Sequence, residues 1–243
     1  MPVDDRTREI LENKGTHVKN MFDRIARWYD FLNHFLSLGI DRRWRKKLVR
    51  GLAPQEGDHV LDVATGTGDL AFTLLAGCGC RVTGMDVSEE MMEVGRRKAK
   101  KKGVAGRMTF VTGRAEEMPF EDQAFGAVTV AFGVRNYTDL EQGLKEMRRV
   151  LRPGGTTAIL EFAQPARQPL KALYSLYLFH LLPLAGKIFS GDKYAYTYLP
   201  ESIRRFPQRE DFLAIMERCG FEECRYETYT GGIVAAYFGK KKN

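Results

Sequence analysis

A glycine-rich loop between an apolar strand and a helix is the feature that most constrains the fold of this chain. Val60-Leu61-Asp62-Val63 leads into Ala64-Thr65-Gly66-Thr67-Gly68-Asp69, and a helix begins there. The glycines allow a sharp turn and a close approach of the backbone to a ligand. About 20 residues later, Asp86 ends the next predicted strand, where a carboxylate can accept both hydroxyl groups of an adenosine ribose. The spacing predicts a nucleoside site, and by itself it also fits an NAD-dependent oxidoreductase.

Short apolar strands alternate with helical or mixed segments in the middle of the chain. The predicted strands are His59–Val63, Arg81–Met85, Met108–Val111, Ala127–Phe132 and Thr156–Phe162. This alternation is typical of βαβ units and of a parallel sheet covered on both faces. Near the end, Glu223–Thr228 and Ile233–Phe238 flank Thr230-Gly231-Gly232, which predicts two strands joined by a tight turn. We therefore predict an α/β fold with a mostly parallel, seven-stranded sheet and a C-terminal antiparallel strand pair. Apolar residues spaced three and four apart, from Met21 to Leu32 and around Trp44, Leu48 and Leu52, predict N-terminal helices.

The composition is that of a globular protein with an excess of positive charge. Lys and Arg number 38 against 31 Asp and Glu, which gives a formal net charge of +7. The longest uncharged stretch, Ala172–Gly186, is shorter than the ~20 residues of a membrane-spanning helix. The acidic N-terminus argues against a secretory signal peptide. Because the four cysteines form no C-x-x-C pair, we expect reduced thiols, and the histidine spacing predicts no metal site.

Two further stretches distinguish between the possible cofactors. Residues 119–125 (Pro-Phe-Glu-Asp-Gln-Ala-Phe) precede the fourth predicted strand, and residues 149–155 (Arg-Val-Leu-Arg-Pro-Gly-Gly) precede the fifth. Together with the glycine loop and Asp86, they resemble the class I S-adenosylmethionine-dependent methyltransferases. The resemblance implies their Rossmann-like fold, and it implies that the loop holds a sulfonium amino acid and not a pyrophosphate.

Motifs along nearly the whole chain, from Val18 to Phe238, resemble a narrower family. They are Phe22-Asp23-Arg24-Ile25-Ala26 with Tyr29-Asp30, Phe132-Gly133-Val134-Arg135-Asn136, Leu160-Glu161-Phe162, Phe179-His180-Leu181-Leu182-Pro183 and Tyr198-Leu199-Pro200-Glu201-Ser202-Ile203. Similar motifs occur in the demethylmenaquinone and 2-polyprenyl-benzoquinol C-methyltransferases of quinone biosynthesis. The resemblance implies methylation of a polyprenyl quinol, with demethylmenaquinol as the expected substrate and S-adenosylmethionine as the methyl donor.

The resemblance also implies which residues bind the methyl donor. The family's contacts fall on Thr67, Asp86, Arg114 and Ala115, and Asp62, Gly66 and Gly68 of the glycine loop complete the predicted set. Two positions depart from the family. Arg114 stands where members often carry Asp or Asn, and Ala131 stands where some carry Ser. We therefore do not expect the family's side-chain contacts at these two positions, whereas backbone contacts are compatible with both changes.

The chain is expected to form a single methyltransferase domain over residues 1–243. Its parts are an N-terminal helical cap (1–57), a cofactor-binding half (58–162), an inserted substrate lid (163–207) and a C-terminal helix with the strand pair (208–243). The lid is predicted because about 45 residues rich in Leu, Tyr and Phe interrupt the strand–helix alternation, and so long a connection is usually functional. The last helix is predicted over Gln208–Cys219.

The chemistry requires an activated ring carbon, since the carbon of a neutral hydroquinone is a poor nucleophile. A free phenol has a pKa of about 10, so the site must favour the phenolate or remove its proton. Arg135 follows the fourth predicted strand, and its permanent charge can stabilise a phenolate. The alternative is that Arg135 pairs with Glu161 and only braces the end of the strand. His180, Tyr196 or water is the predicted proton acceptor, although His180 in an apolar run equally fits a packed histidine.

Two other functions remain as alternatives. The basic runs 42–47 and 96–102 would suit an RNA methyltransferase, but such runs also form solvated helix faces or contact anionic lipids, and no Asn-Pro-Pro-Tyr-like motif is present. A second alternative is a non-catalytic lipid-binding module, which the intact glycine loop and Asp86 argue against.

We therefore predict a cytoplasmic protein that binds peripherally to the inner face of the cell membrane. We predict no binding to nucleic acid. Apolar residues all around the stretch 173–182 suit a groove for the tail or a shallow anchor. The sequence leaves the oligomeric state open, with a homodimer as one option.

Overall fold

A single mixed sheet forms the centre of the protein. The computed structural model describes residues 15, 16, 19–24, 26, 37, 39–176 and 193–242. In these ranges the strands are β1 (His59–Val63), β2 (Arg81–Asp86), β3 (Met108–Thr112), β4 (Phe125–Ala131), β5 (Leu151–Phe162), β6 (Phe221–Tyr229) and β7 (Val234–Lys241). Their order is β3-β2-β1-β4-β5-β7-β6. β1 to β5 are parallel, and β7 lies antiparallel between β5 and β6, so the predicted fold is confirmed.

Helices cover both faces of the sheet. They are α1 (Asp41–Leu52), α2 (Asp69–Gly77), α3 (Glu89–Lys101), α4 (Leu140–Val150), α5 (Leu170–Leu176), α6 (Lys193–Arg205) and α7 (Glu210–Arg218). The predictions around Trp44 and over Gln208–Cys219 correspond to α1 and α7. The described residues among 15–26 are helical, whereas Trp28, Tyr29 and Leu32 lie outside the described residues.

Alternation along the strands divides the interior into two cores. In β1, Leu61 and Val63 pack into the core beneath α4 and α7. Val60 points the other way, into the core formed with α1 and α2. Because successive strand side chains face opposite sides, an almost fully apolar strand such as β1 is stable only with cover on both faces.

The start of the fifth strand differs from the prediction. We expected residues 149–155 to precede the strand, yet β5 begins at Leu151. Leu151 pairs with Phe125, and the next paired residue is Thr156, opposite Ala127. The segment between them bulges out of register, which allows Pro153 and two glycines to remain within the strand bounds.

The expectation of reduced thiols is wrong for one pair of cysteines. Cys78 and Cys80 form a disulfide, whereas Cys219 and Cys224 are free. Cys78 adopts an extended conformation after α2, and Gly79 follows it, so the two Cα atoms lie 5.3 Å apart. That separation is typical of disulfide-bonded residues, and it depends on how the chain turns from α2 into β2.

None of the helices in the described ranges is both long and apolar enough to cross a bilayer. Over those same ranges, His, Cys, Asp and Glu side chains form no group of three that could hold a metal ion.

Candidate active site

A cavity of about 440 Å³ opens at the carboxyl ends of β1, β2 and β4. β1 lies between β2 and β4, so the strand order reverses here, which is where open α/β sheets bind ligands. The volume is in the range of small-molecule sites. The lining comprises Gly15, Thr16, Lys19, Phe22, Val63, Ala64, Gly66, Met85, Asp86, Val87, Met91, residues 112–116, residues 131–133 and residues 136–138.

Asp86 joins the glycine loop to the start of α3. One carboxylate oxygen, Oδ2, accepts from the Gly66 N–H at 2.8 Å, and Oδ1 accepts from the Ser88 N–H at 2.9 Å. Burial raises the pKa of Asp86, although these backbone donors oppose the shift. A carboxylate has about four acceptor positions, so both oxygens can still accept hydroxyl groups from a ligand.

The glycine loop has the backbone conformation that the sequence predicted for it. Gly66 has φ 55° and Gly68 has φ 86°, both in the left-handed region that favours glycine. A Cβ atom on Gly66 would lie 3.2 Å from the Met91 Cε atom on the cavity wall. The space left open by Gly66 is therefore available to a ligand lying against the loop.

Gly84 allows the glycine loop to pack closely on β2, and the sequence analysis assigned it no function. A Cβ atom there would lie 2.8 Å from the Thr65 Cγ2 atom. Gly84 thus lets the glycine loop pack directly on β2. The available signal was its place inside a predicted strand, where glycine often marks a close approach of another backbone segment.

Asp62 supports the loop from behind and does not line the cavity. Its carboxylate is buried and accepts from the hydroxyl groups of Thr65 at 2.7 Å and Thr129 at 2.9 Å. Burial raises the pKa of Asp62 to about 6, opposed by those two hydrogen bonds and by Arg45. The structure therefore places Asp62 as a support of the loop.

Charged residues of two helices hold the far end of the loop. The Lys98 ammonium group of α3 lies 2.6 Å from Asp69 Oδ1 and donates to the Thr67 hydroxyl group at 3.1 Å. On the other side, the guanidinium of Arg45 from α1 lies 3.8 Å from Asp69 Oδ2. Thr67 is buried, and neither Thr67 nor Gly68 lines the cavity. Sequence reasoning missed both cations, because α1 and α3 meet the loop only in the folded chain.

Arg114 and Ala115 line the cavity together with Gly66 and Asp86. The Arg114 side chain is 61% exposed, and its Nε atom lies 3.9 Å from Glu116 Oε2. Ala115 is buried and carries no polar side-chain atom. Four of the seven predicted cofactor residues thus lie on the cavity wall. At position 115, therefore, only the backbone can offer a ligand a hydrogen bond.

The N-terminal segment covers one side of the cavity. Asp23 Oδ1 accepts from the Ser88 hydroxyl group at 2.5 Å, and Asp23 Oδ2 accepts from Lys19 at 2.7 Å. Although burial works against it, these hydrogen bonds lower the pKa of Asp23. Ser88 also caps α3 by accepting from the Met91 N–H. The motif containing Asp23 therefore joins the N-terminal cover to the strand end that carries Asp86.

Arg135 pairs with Glu161, as in the bracing alternative. Its Nη1 atom lies 2.7 Å from Glu161 Oε1 and also donates to the carbonyl oxygen of Phe132, while Nε donates to the Ser202 hydroxyl group at 3.3 Å. The Arg135 side chain is 6% exposed, and Glu161 is fully buried. Burial raises the pKa of Glu161, although Arg135 opposes the shift. Arg135 does not line the cavity, but it holds Phe132, which does.

The predicted proton acceptors are not placed by the structure. His180 lies outside the described residues. Tyr196 belongs to α6, in a part of that helix whose side chains are not described. Two residues further on, the Tyr198 hydroxyl group donates to Asn136 Oδ1 at 3.0 Å, and Asn136 lines the cavity. α6 therefore contacts the cavity wall.

The sheet order, together with a glycine loop and a carboxylate at the point where the order reverses, defines the class I methyltransferase fold. A solved structure from Thermotoga maritima, described as an S-adenosylmethionine-dependent methyltransferase, matches with a TM-score of 0.65 and 21% identity, over 92% of this chain and 99% of that one. At this identity the match shows the fold alone. The methyl donor of the class is S-adenosylmethionine, and the open space at Gly66 beside the Asp86 carboxylate fits its amino-acid and ribose parts.

Residues 10–241 match the ubiE/COQ5 methyltransferase family, and the chain belongs to that family. A ubiquinone/menaquinone biosynthesis C-methyltransferase UbiE from Geotalea uraniireducens is 45% identical over 95% of this chain and 99% of its own length. A demethylmenaquinone methyltransferase from Bacteroides fragilis is 44% identical over 94% of both chains. The predicted family is therefore confirmed, and so is the dependence on S-adenosylmethionine.

Proposed function

We propose that this chain transfers a methyl group to a ring carbon of demethylmenaquinol and so forms menaquinol. One observation carries the proposal: motifs of the quinone-pathway family, which are far apart in sequence, meet around one cavity. Arg135 contacts Glu161 and Ser202, and Asn136 contacts Tyr198. These contacts join the strand ends to α6, at the cavity that fits the methyl donor.

S-Adenosylmethionine supplies a sulfonium-bound methyl group to an in-line nucleophile. Asp86 and the backbone of the glycine loop would hold it, with the backbone of Arg114 and Ala115 beyond. Asp62, Lys98 and Arg45 would act indirectly, by keeping the loop in place before the ligand arrives. Such preorganisation lowers the entropy lost on binding.

The quinol ring would lie beside Phe132, next to the methyl donor. Phe132 lines the cavity and stacks on Phe162, with the ring centroids 4.4 Å apart. A small apolar cluster with Met21, Tyr174 and Ile203 at its centre continues from Phe162 and joins the N-terminal cover to α5 and α6. This cluster, with the segment 163–207 as a lid, would provide an apolar path for the polyprenyl tail.

Arg135 would position the end of β4 through its hydrogen bonds. Because it does not line the cavity and is paired with Glu161, it would favour the phenolate through a bound water. The buried Glu161 partner keeps the guanidinium fixed and allows it to orient a bound water. The proton would pass to His180, Tyr196 or water. Arg135→Lys keeps the charge and loses the planar fork, whereas Arg135→Ala loses both. A wild-type rate for a folded Arg135→Ala variant that binds S-adenosylmethionine normally would refute this role.

The test of the function is product formation with matched acceptors. S-Adenosylhomocysteine should form with demethylmenaquinol and should not form with RNA or without an acceptor. A benzoquinol competitor then measures whether the ring site distinguishes the two quinol classes. Product formation with RNA, or none with demethylmenaquinol, would contradict the proposal.

The substrate chemistry also implies where the protein works. A polyprenyl tail keeps the substrate in the bilayer, so the active site must reach the membrane surface at its inner, cytoplasmic face. The net charge of +7 would add attraction to anionic lipids, which salt screens. Co-sedimentation with anionic vesicles should therefore decrease as salt increases. No binding at low salt, with the substrate present, would contradict this placement.

A further inference from the structure

The outer face of α1 carries only cations. Apart from Gly51, which has no side chain, its exposed residues are Arg42, Arg43, Lys46, Lys47 and Arg50. The opposite face is buried against the sheet, with Trp44, Leu48 and Leu52 in the core. The exposed positions are spaced one, three and four residues apart, so they lie together on one side of the helix. The result is a continuous basic surface.

These five cations have no ion pair with a carboxylate anywhere in the described ranges. Like charges three and four residues apart destabilise a helix, so the arrangement is unfavourable for the free protein. On α3, one cation is neutralised by acidic neighbours: Arg96 lies 2.5 Å from Glu89 and 3.5 Å from Glu93. The face of α1 thus has the charge expected of a surface that binds an anionic partner.

An exposed apolar patch lies on α5, which contacts the same β6–β7 turn as α1 does. Leu173 and Leu176 of α5 are 61% and 52% exposed. The β6–β7 turn contacts both helices: the Trp44 indole N–H of α1 donates to the Thr230 hydroxyl group at 2.7 Å, and Leu170 of α5 packs against Gly231. Basic and apolar surface therefore lie on neighbouring elements.

We infer that the outer face of α1 and the patch formed by Leu173 and Leu176 make one docking surface for a bilayer that contains anionic lipids. The inference rests on the proposed function, since the quinol substrate would be drawn from that bilayer. Cations beside exposed leucines suit headgroups and acyl chains together. A nucleic acid would use the cations and leave the leucines in water.

The test compares two double variants of equal charge. Arg43→Glu with Lys46→Glu alters the docking surface. Lys145→Glu with Arg218→Glu alters α4 and α7, which pack on the other side of the sheet. Each pair replaces two cations by two anions and takes the formal net charge from +7 to +3. Binding is measured by flotation with phosphatidylcholine vesicles, with and without phosphatidylglycerol, after unfolding temperatures have shown that the variants fold.

The first pair should lower binding to the anionic vesicles by at least about 30-fold, because each cation near such a surface contributes about fivefold. The second pair should change it little. Leu173→Ser with Leu176→Ser should weaken the binding that remains at high salt. Equal losses for the two charge pairs, or RNA binding that only the first pair abolishes while vesicle binding persists, would overturn the inference.

A tail-free demethylmenaquinol analogue in solution separates this inference from the proposed function. The Arg43→Glu, Lys46→Glu variant should methylate the analogue at the wild-type rate. If the wild-type protein does not methylate it, the proposed function fails. If the wild-type protein does, and the docking variants bind vesicles as the wild-type protein does, only the docking surface is wrong.

Discussion

Replacement of Glu161 by Gln should destabilise the protein strongly while it leaves every cavity-lining side chain in place. Glu161 Oε1 and Arg135 Nη1 are 2.7 Å apart, and both side chains are almost fully buried. Removal of one partner from a buried ion pair leaves a charge without its partner and costs about 3–5 kcal/mol. Arg135 keeps its hydrogen bonds to Phe132 and Ser202, so we expect the lower end, about 3 kcal/mol.

Arg135→Met removes the other partner of the ion pair. The loss in free energy of unfolding that it causes should depend on pH. The carboxyl group left behind can take up a proton, and burial already raises the pKa of Glu161. A raised pKa in the folded state means that stability is lost as pH rises through that pKa. Arg135→Met should therefore lower the free energy of unfolding more at pH 8 than at pH 5.

Urea unfolding at the two pH values measures both effects. A destabilisation by Glu161→Gln of less than about 1 kcal/mol would show that the pair does not brace the strand ends as argued. An equal cost of Arg135→Met at both pH values would refute the proton uptake. The variant that carries both substitutions is the control. If both effects arise from the Arg135–Glu161 pair, it should lose clearly less free energy of unfolding than the two single variants lose together.

The other predictions concern the cofactor loop. Asp86→Ala should weaken S-adenosylmethionine binding about tenfold to a hundredfold, measured by titration calorimetry, and unchanged affinity would contradict the assignment. The pKa of Asp62 lies at about 6 against an ordinary 3.8, so stability should fall by about 3 kcal/mol as pH rises from 4 to above 6. Asp62→Asn should abolish that fall in urea titrations, and a fall that persists in the variant would assign it to another group. Gly84→Ala would place a Cβ atom against Thr65, so it should lower the free energy of unfolding by about 1–3 kcal/mol and weaken cofactor binding. An unfolding temperature and a cofactor affinity equal to those of the wild-type protein would show that the loop can move away.

The strands and the glycine loop could be predicted from local sequence patterns. The bounds of β1 match the prediction, and the other parallel strands were placed correctly apart from their ends. Strand alternation and left-handed glycines depend on residues within a few positions of one another, so the pattern survives in the sequence. Gly66 and Asp86, which the sequence predicted as part of a nucleoside site, both line the cavity.

Tertiary structure decided which partner each functional side chain has. Asp23 meets Ser88, and Arg135 meets Glu161 rather than open solvent. Cys78 and Cys80 are bonded because of the turn between α2 and β2. Such contacts join elements whose separation in sequence carries no information on their distance in space. Local patterns specify which elements form, but the packing of those elements on the sheet determines which charges lie together and which face the cavity.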